Sequence, residues 1–410
     1  MAGLLTGNTA WSADTVRVTG DVEVAGGAAL FIDAGTRVEF QDHYSLTVLG
    51  RLLAQGSPLE PVLFTTDDPE AFLPDSSLTG CWAGIRFPFT KETEGDSRLD
   101  YCVIEYAKNA GDSCRGGALQ VEGFSRLTVE NSILRRNAAD FGGAIYCGHE
   151  AAPRITGCLI VENLAFNGGS VLHCLDSSPK LVGCTIADNE DLNAQIFDPA
   201  AAIYAHISKP TLDGCILYGN PSLYFEPTQI LYGKSYCTRY SDIEGGSGEG
   251  VIDADPSFLD EGYHPYSLAA FSPCRDAGPP DSTGLHLPCL DLAGGLRLTG
   301  RMDMGAYELQ FTSAPEAPVL ARLLGAHPNP FNPSTCLSFE LDRAAPLRLE
   351  LLDAAGRRVR LLDESFREAG AHEIAWDGRD RRGRRCASGV YFARLTVPGY
   401  SASEKVVLLK

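Results

Sequence analysis

The chain has 410 residues, enough for two or more domains with a large core, and a formal net charge of -19. From Val319 onward it carries 15 Lys plus Arg against 11 Asp plus Glu, leaving 19 against 42 before it. So acidic an N-terminal part repels nucleic acid and anionic membranes, and no run of 18 apolar residues supplies a transmembrane segment.

Met1-Ala-Gly-Leu-Leu is followed at once by polar turn residues, with no basic stretch before it. No signal peptide is therefore predicted, and the true start is expected to lie upstream or to have been trimmed. Over residues 15–65 the apolar pattern has period two and is cut into short pieces: Val16 and Val18, Val22 and Val24, Leu30 and Ile32, Val38 and Phe40, Leu46 and Val48, Val62 and Phe64. Short strands between Gly turns read as the first coils of a stacked array, with a capping turn over the open sheet edge. Residues 67–80 and 88–95 are polar loops. Between them Trp82-Ala-Gly-Ile-Arg-Phe87 is an apolar strand, where Trp82 either stacks on a sugar ring at a coil mouth or closes the core beneath a loop.

From Gly116 the sequence repeats itself. A slide of 26 residues superimposes Gly116-Gly117-Ala118 on Gly142-Gly143-Ala144 and Gly168-Gly169-Ser170, then Ser132 on Cys158 and Cys184, then Asn137 on Asn163 and Asn189. A further step of 31 carries Cys184 to Cys215 and Asn189 to Asn220, so the last unit has a five-residue insertion. A period in this range with alternating apolar positions and no helical periodicity predicts a right-handed parallel β-helix, regular over about 97–220. Equivalent residues then stack about 4.8 Å apart. Asn137, Asn163, Asn189 and Asn220 are expected to form an amide ladder, and Cys158, Cys184 and Cys215 an inward column of small apolar side chains. Stacked neighbours have parallel Cβ vectors, which disfavours a disulfide. The same 26-residue step places His173 inward with Val121 and Cys147.

Units such as Thr156-Gly-Cys-Leu-Ile-Val-Glu-Asn163 and Val182-Gly-Cys-Thr-Ile-Ala-Asp-Asn189 resemble the pectin-lyase-like right-handed β-helix repeats of bacterial secreted proteins. The resemblance covers about the first three quarters of the chain. It implies the fold and leaves activity open, since that superfamily holds lyases, hydrolases, epimerases, adhesins and inert stalks.

Beyond Asn220 lies a tyrosine-rich stretch with Tyr224, Tyr232 and Tyr236, readable as a glycan platform or as filler of a tapering core. About residues 242–310, through Asp242-Ile-Glu-Gly-Gly and Asp303-Met-Gly-Ala-Tyr-Glu308, the chain resembles the terminal "choice-of-anchor" segment of surface β-helix proteins. Of the 13 cysteines none falls in a zinc-module pair; Cys274 and Cys289 flank one loop and are the candidate disulfide in an oxidising compartment. The β-helix domain is thus read as 1–310, a Pro-rich linker as 311–326, and a small antiparallel β-sandwich as 327–410. That last part, through Pro328-Asn-Pro-Phe331 and Gly389-Val-Tyr-Phe392, resembles the Ig-like domain of flagellar hook-capping proteins and type IX secretion sorting domains. The resemblance implies export, a secreted or bacterial cell-surface location, and outer-membrane secretion or attachment machinery as a partner of 327–410.

Two functions follow as expectations. The first is a non-catalytic module that binds polysaccharide or surface matrix and requires no cofactor, with Trp82, Tyr224, Tyr232 and Tyr236 as stacking residues. The second is a polysaccharide lyase: the repeat sets Glu150 over Asp176 and Arg154 over Lys180, so that carboxylates hold Ca2+ against a uronate while a cation abstracts the proton. Gly148-His149-Glu150 also resembles part of a polygalacturonase motif, but that family's Asn-Thr-Asp and Arg-Ile-Lys elements are absent, and His149 reads as a turn residue.

Overall fold

Strands of two to five residues, ended by glycine or another left-handed residue, are too short to stand as hairpins and gain stability by stacking on the next copy of themselves. The structure, a computed structural model, describes the chain except residues 74–76, 110–114, 193–201, 222–228, 232–236, 260–263, 310–320, 343–344, 355–357, 381–383, 398–399 and 410. Three strands per coil build three nine-stranded parallel sheets. The first sheet runs from Gly3–Leu5 to Ile230–Leu231, the second from Thr9–Trp11 to Cys237–Arg239, and the third from Thr15–Val18 to Asp242–Ile243. Two-residue strands Lys108–Asn109, Ala138–Ala139, Leu164–Ala165 and Glu190–Asp191 add a fourth narrow sheet where the third turns toward the first. This is the expected right-handed parallel β-helix. Parallel register begins earlier than residue 97 and holds through Ile243. Residues 3–18 form a full coil in register where a capping turn was expected.

Inward residues of all three sheets make one core, and Trp82 belongs to it. Its ring is fully buried, stacks on Phe40 at 4.1 Å, and donates Nε1–H to the Glu105 carbonyl at 2.9 Å. The asparagine ladder forms as read. Asn137, Asn163 and Asn189 each donate backbone N–H and side-chain Nδ2–H to Oδ1 of the next asparagine, at 2.8 to 3.1 Å, and Asn220 closes the series on Gln229 Oε1 at 2.7 Å. Each follows a left-handed residue, namely Arg136, Glu162, Asp188 and Gly219. The side chain therefore satisfies the N–H that the bend takes out of the ladder. Cys158, Cys184 and Cys215 stack fully buried beside it, their column continued by Ser132 and Ser241.

After Ile243 the chain leaves the coils and folds back along the outside of the third sheet. Outward residues there are apolar, so Leu159, Val161 and Ala187 pack against Leu292, Ala306 and Tyr307, and Ile216 against Leu268 and Met304. Strands apolar on both faces are what a covered parallel sheet requires. The Gly305 amide bonds the Gly214 carbonyl at 2.8 Å, and the Ala306 amide bonds Thr185 Oγ1 at 2.9 Å. Gly305 has φ of 93°, and a Cβ there would lie 2.6 Å from Thr185 Oγ1, so the motif needs glycine. Its acids clasp the backbone. Asp291 accepts N–H from Gly295 and Glu308, Asp303 from Asp276 and Leu309, and Glu308 from Asp303, beside the buried Arg297. Cys274 is buried in this strap with its thiol donating to Asp242 at 3.0 Å, while Cys289 is exposed; both are free, so the expected disulfide is absent.

Residues 1–260 and 264–310 form one unit and 311–410 a second. In the second, three strands, Ala321–His327, Thr335–Leu341 and Gly370–Trp376, face four: Ala345–Asp353, Arg358–Arg367, Gly389–Val397 and Tyr400–Leu408. All pairs are antiparallel, and Trp376 fills the core between Phe331 and Tyr391. The first strand lies inside the stretch read as linker, because Ala321 and Leu323 alternate inward with the rest of that sheet.

Replacing Asn189 with Ala strands the buried Asn163 backbone N–H, while Asn163 Nδ2 keeps the Leu134 and Val161 carbonyls. The expected loss in urea unfolding is about 1–3 kcal/mol, for one buried unpaired group, while the exposed Glu190→Ala stays within about 0.5 kcal/mol. Equal midpoints for the two variants would show that the ladder is not a stabilising element.

Burial pushes the Glu308 carboxyl from its ordinary 4.5 up to about 7, against the opposing Asp303 amide and Arg297. A carboxyl held higher in the folded state contributes stability that is fully present below about 4.5 and lost as pH rises through about 7. Unfolding midpoints measured from pH 4.5 to 7.5 should therefore fall with pH in the wild type more steeply than in Glu308→Gln. Parallel curves would refute the assignment.

Candidate functional site

The outward face of the first sheet gathers the chemistry. Its strands Ile85–Pro88, Leu119–Glu122, Ile145–Gly148, Leu172–Leu175 and Ile203–His206 pair in register, which stacks Arg86, Gln120, Tyr146, His173 and Tyr204 in one outer column. In every strand the flanking positions are inward and apolar, so period two alone turns these five side chains outward. The rings of Tyr146 and His173 stack 5.7 Å apart and those of His173 and Tyr204 4.5 Å apart, both within 16° of parallel. Phe141 meets His173 edge-on at 5.1 Å. Arg115 lies over Tyr146 at 4.9 Å and reaches Glu122, which also accepts from Gln120. Tyr146 reaches sideways across Gly148, where a Cβ would lie 2.9 Å from its ring.

Tyr146 is buried, His173 and Tyr204 are half-buried, and His206 in the next column is exposed. Burial pushes the His173 imidazole down to about 4, with the charges of Arg115 and His206 adding to the effect and the Gly168 carbonyl opposing it. His173 is thus neutral at pH 7, one ring nitrogen a donor and the other an acceptor. The rings thus repeat at about the coil spacing of 4.8 Å, with Tyr146 Oη and His173 Nδ1 buried and without a hydrogen-bond partner among the described residues.

This corrects the position of His173. Gly142 and Gly169, not Gly168, are the equivalent left-handed residues, so one residue is inserted before Leu172–Leu175 and Cys147 aligns with Cys174. The insertion is undone at the next bend, where His149 is equivalent to Asp176 and Glu150 is the extra residue. Glu150 therefore does not lie over Asp176; its amide bonds the Asp176 carbonyl at 2.5 Å, and both side chains are exposed. Arg154 does lie over Lys180 on the second sheet. Two guanidinium nitrogens of Arg154, Nε and Nη2, are buried without a hydrogen-bond partner, and Lys180 points to the buried Asp213 at 4.0 Å, itself held by Arg239 at 2.8 Å. Among the described residues neither Glu150 nor Asp176 pairs with Arg154 or Lys180, and no three His, Cys, Asp or Glu side chains are placed to hold a metal ion. Of the stacking candidates, Trp82 is in the core, and Tyr224, Tyr232 and Tyr236 lie outside the described residues. The signal for the site that sequence reading missed was local: Ile145-Tyr-Cys-Gly, Leu172-His-Cys-Leu and Ile203-Tyr-Ala-His align by alternation.

Comparison with known proteins places the second unit. Residues 329–398 match the family model of the FlgD Ig-like domain. No curated protein matches the chain. Among solved structures the chain is similar to dimeric latent PorU from Porphyromonas gingivalis, at 24% identity and a TM-score of 0.20 over 23% of this chain and 10% of that one. It is similar also to PorZ of the same organism, described as an essential bacterial surface component of the type-IX secretion system, at 22% identity and a TM-score of 0.15 over 22% and 11%. The chain thus spans about a tenth of the length of either.

Proposed function

We propose that this is an exported bacterial cell-surface protein, a pectin-lyase-like β-helix that binds polysaccharide or surface matrix without catalysis and is displayed through residues 327–410. The observation that carries the binding reading is the outer column Gln120, Tyr146, His173 and Tyr204, where amide, phenol and imidazole groups recur once per coil. A row of planar side chains at coil spacing would hold a chain-like ligand by repetition and aromatic contact. The FlgD Ig-like match of residues 329–398 supports a separate attachment role for the second unit. Secretion or attachment machinery is its partner in this reading, and no cofactor is required.

The alternative, a Ca2+-assisted lyase, draws its support from Arg154 stacked over Lys180. Its carboxylates would be Glu150 and Asp176 at the adjoining bend.

The full chain incubated with polygalacturonate, alginate, xylan and cellulose, with Ca2+ or chelator, decides between them. Retention on one polymer without new reducing ends or unsaturated product is expected, weakened at least about tenfold, or about 1.4 kcal/mol, in His173→Ala combined with Tyr204→Ala. Lys180→Ala should leave retention unchanged. Ca2+-dependent unsaturated product that disappears in Lys180→Ala or Asp176→Ala would replace the binding reading by the lyase.

A further inference from the structure

One bend of the β-helix carries bulky side chains where the backbone favours glycine. At the turn from the first sheet to the second, successive coils place Phe89, Gly123 and His149 at equivalent positions in the left-handed region, with φ of 51°, 60° and 54°. Glu150, the inserted residue, follows at 65°, and the Ala151 amide closes the turn on the Gly148 carbonyl at 3.1 Å. A bulky residue with positive φ is strained, and such strain gathers where a ligand is held. Phe89 is also 57% exposed, with His149 and Glu150 exposed beside it. Neither core packing nor backbone geometry calls for phenylalanine here.

The ring is nonetheless held in place. The Phe89 amide bonds the Glu122 carbonyl at 2.8 Å, and Thr90 Oγ1 donates to the Val48 carbonyl at 2.6 Å, which anchors the chain on both sides. A Cβ at Gly123 would lie 2.8 Å from Phe89 Cδ1, so the ring crosses Gly123 and meets the His149 ring at 5.1 Å. The Gly123 amide bonds the Gly148 carbonyl at 3.1 Å, and Gly148 is the residue that Tyr146 crosses. Two glycines on adjacent coils thus let two rings lie against the backbone, Phe89 over one and Tyr146 over the other. The bend continues the aromatic surface of the first-sheet column.

We propose that Phe89 and His149 form a subsite for one uncharged pyranose ring of a polysaccharide. The proposal rests on the reading of the first-sheet column as a polysaccharide surface and narrows its ligand to a neutral polymer. The exposed face of Phe89 takes the apolar C–H face of the sugar, and His149 and Glu150 take its hydroxyls. The exposed carboxylates of Glu150 and, one coil on, Asp176 accept from hydroxyls and repel a uronate. Lys91 in the following loop is outnumbered by Glu92 and Glu94, and the 42 acidic against 19 basic residues before Val319 act in the same sense.

The test passes the full chain, in chelator, over immobilised xylan, cellulose, polygalacturonate and alginate. Retention on xylan or cellulose is expected, at least about tenfold weaker in Phe89→Gly and within about twofold of wild type in Phe89→Trp. The three native tryptophans are buried, so a blue shift of Phe89→Trp fluorescence on adding soluble xylan, beyond that of wild type, reports contact at this bend. Glycine relieves the left-handed backbone, so the urea midpoint of Phe89→Gly should equal or exceed that of wild type. Equal retention by wild type and Phe89→Gly, a lower midpoint in Phe89→Gly, or retention on the two polyuronates alone would overturn the subsite and leave the broader reading standing. Wild type retained on none of the four polymers would remove that reading and the subsite with it.

Discussion

Register between coils is the constraint on which this molecule depends, and the asparagine ladder is where it is enforced most tightly. At each of three successive bends one amide side chain, of Asn163, Asn189 or Asn220, accepts from the backbone and side chain of the coil before it. A slip of one residue would replace that amide by its neighbour and leave buried donors unpaired, at a cost of about 1–3 kcal/mol for each. Pinned there, the adjoining strands of the third sheet keep their register. The outer column of the first sheet is aligned by that sheet's own pairing, which takes up the residue inserted near Gly168.

A stacked array also creates a problem it cannot solve from within: the third sheet exposes Leu159, Val161, Ala187 and Ile216 along its outer face. The strap from residue 252 onward removes that surface from water, and its carboxylates take backbone N–H groups that lie outside any sheet. Burying acids in this way is costly unless each is fully hydrogen-bonded. Asp291 and Asp303 meet that condition with two amides each. The Asp303 to Glu308 motif is therefore explained by packing and polar satisfaction, and no reaction is needed to account for it.

The repeat made the architecture legible, since Asn137, Asn163, Asn189 and Asn220 keep their spacing only if coils stack. The candidate site was less so, and the reason is specific. A rigid step of 26 residues carries across an inserted residue near Gly168 and an opposite adjustment at Glu150, so both errors cancel at Cys184 and stay hidden. Between them every side chain is assigned to the wrong face, which turned His173 inward and set Glu150 over Asp176. Trp82 failed for another reason. An aromatic beside a loop reads the same whether it faces solvent or Phe40, and only the stacked ring contact at 4.1 Å decides.

Charge and stacking differ between the two units. In the acidic β-helix unit, the first-sheet column is held by ring contacts and by a His173 that burial keeps neutral, so its internal contacts change little with salt. From Val319 onward the second unit instead carries 15 Lys plus Arg against 11 Asp plus Glu. Exposed charges of this kind act through a field that salt screens within about 10 Å at 0.1 M.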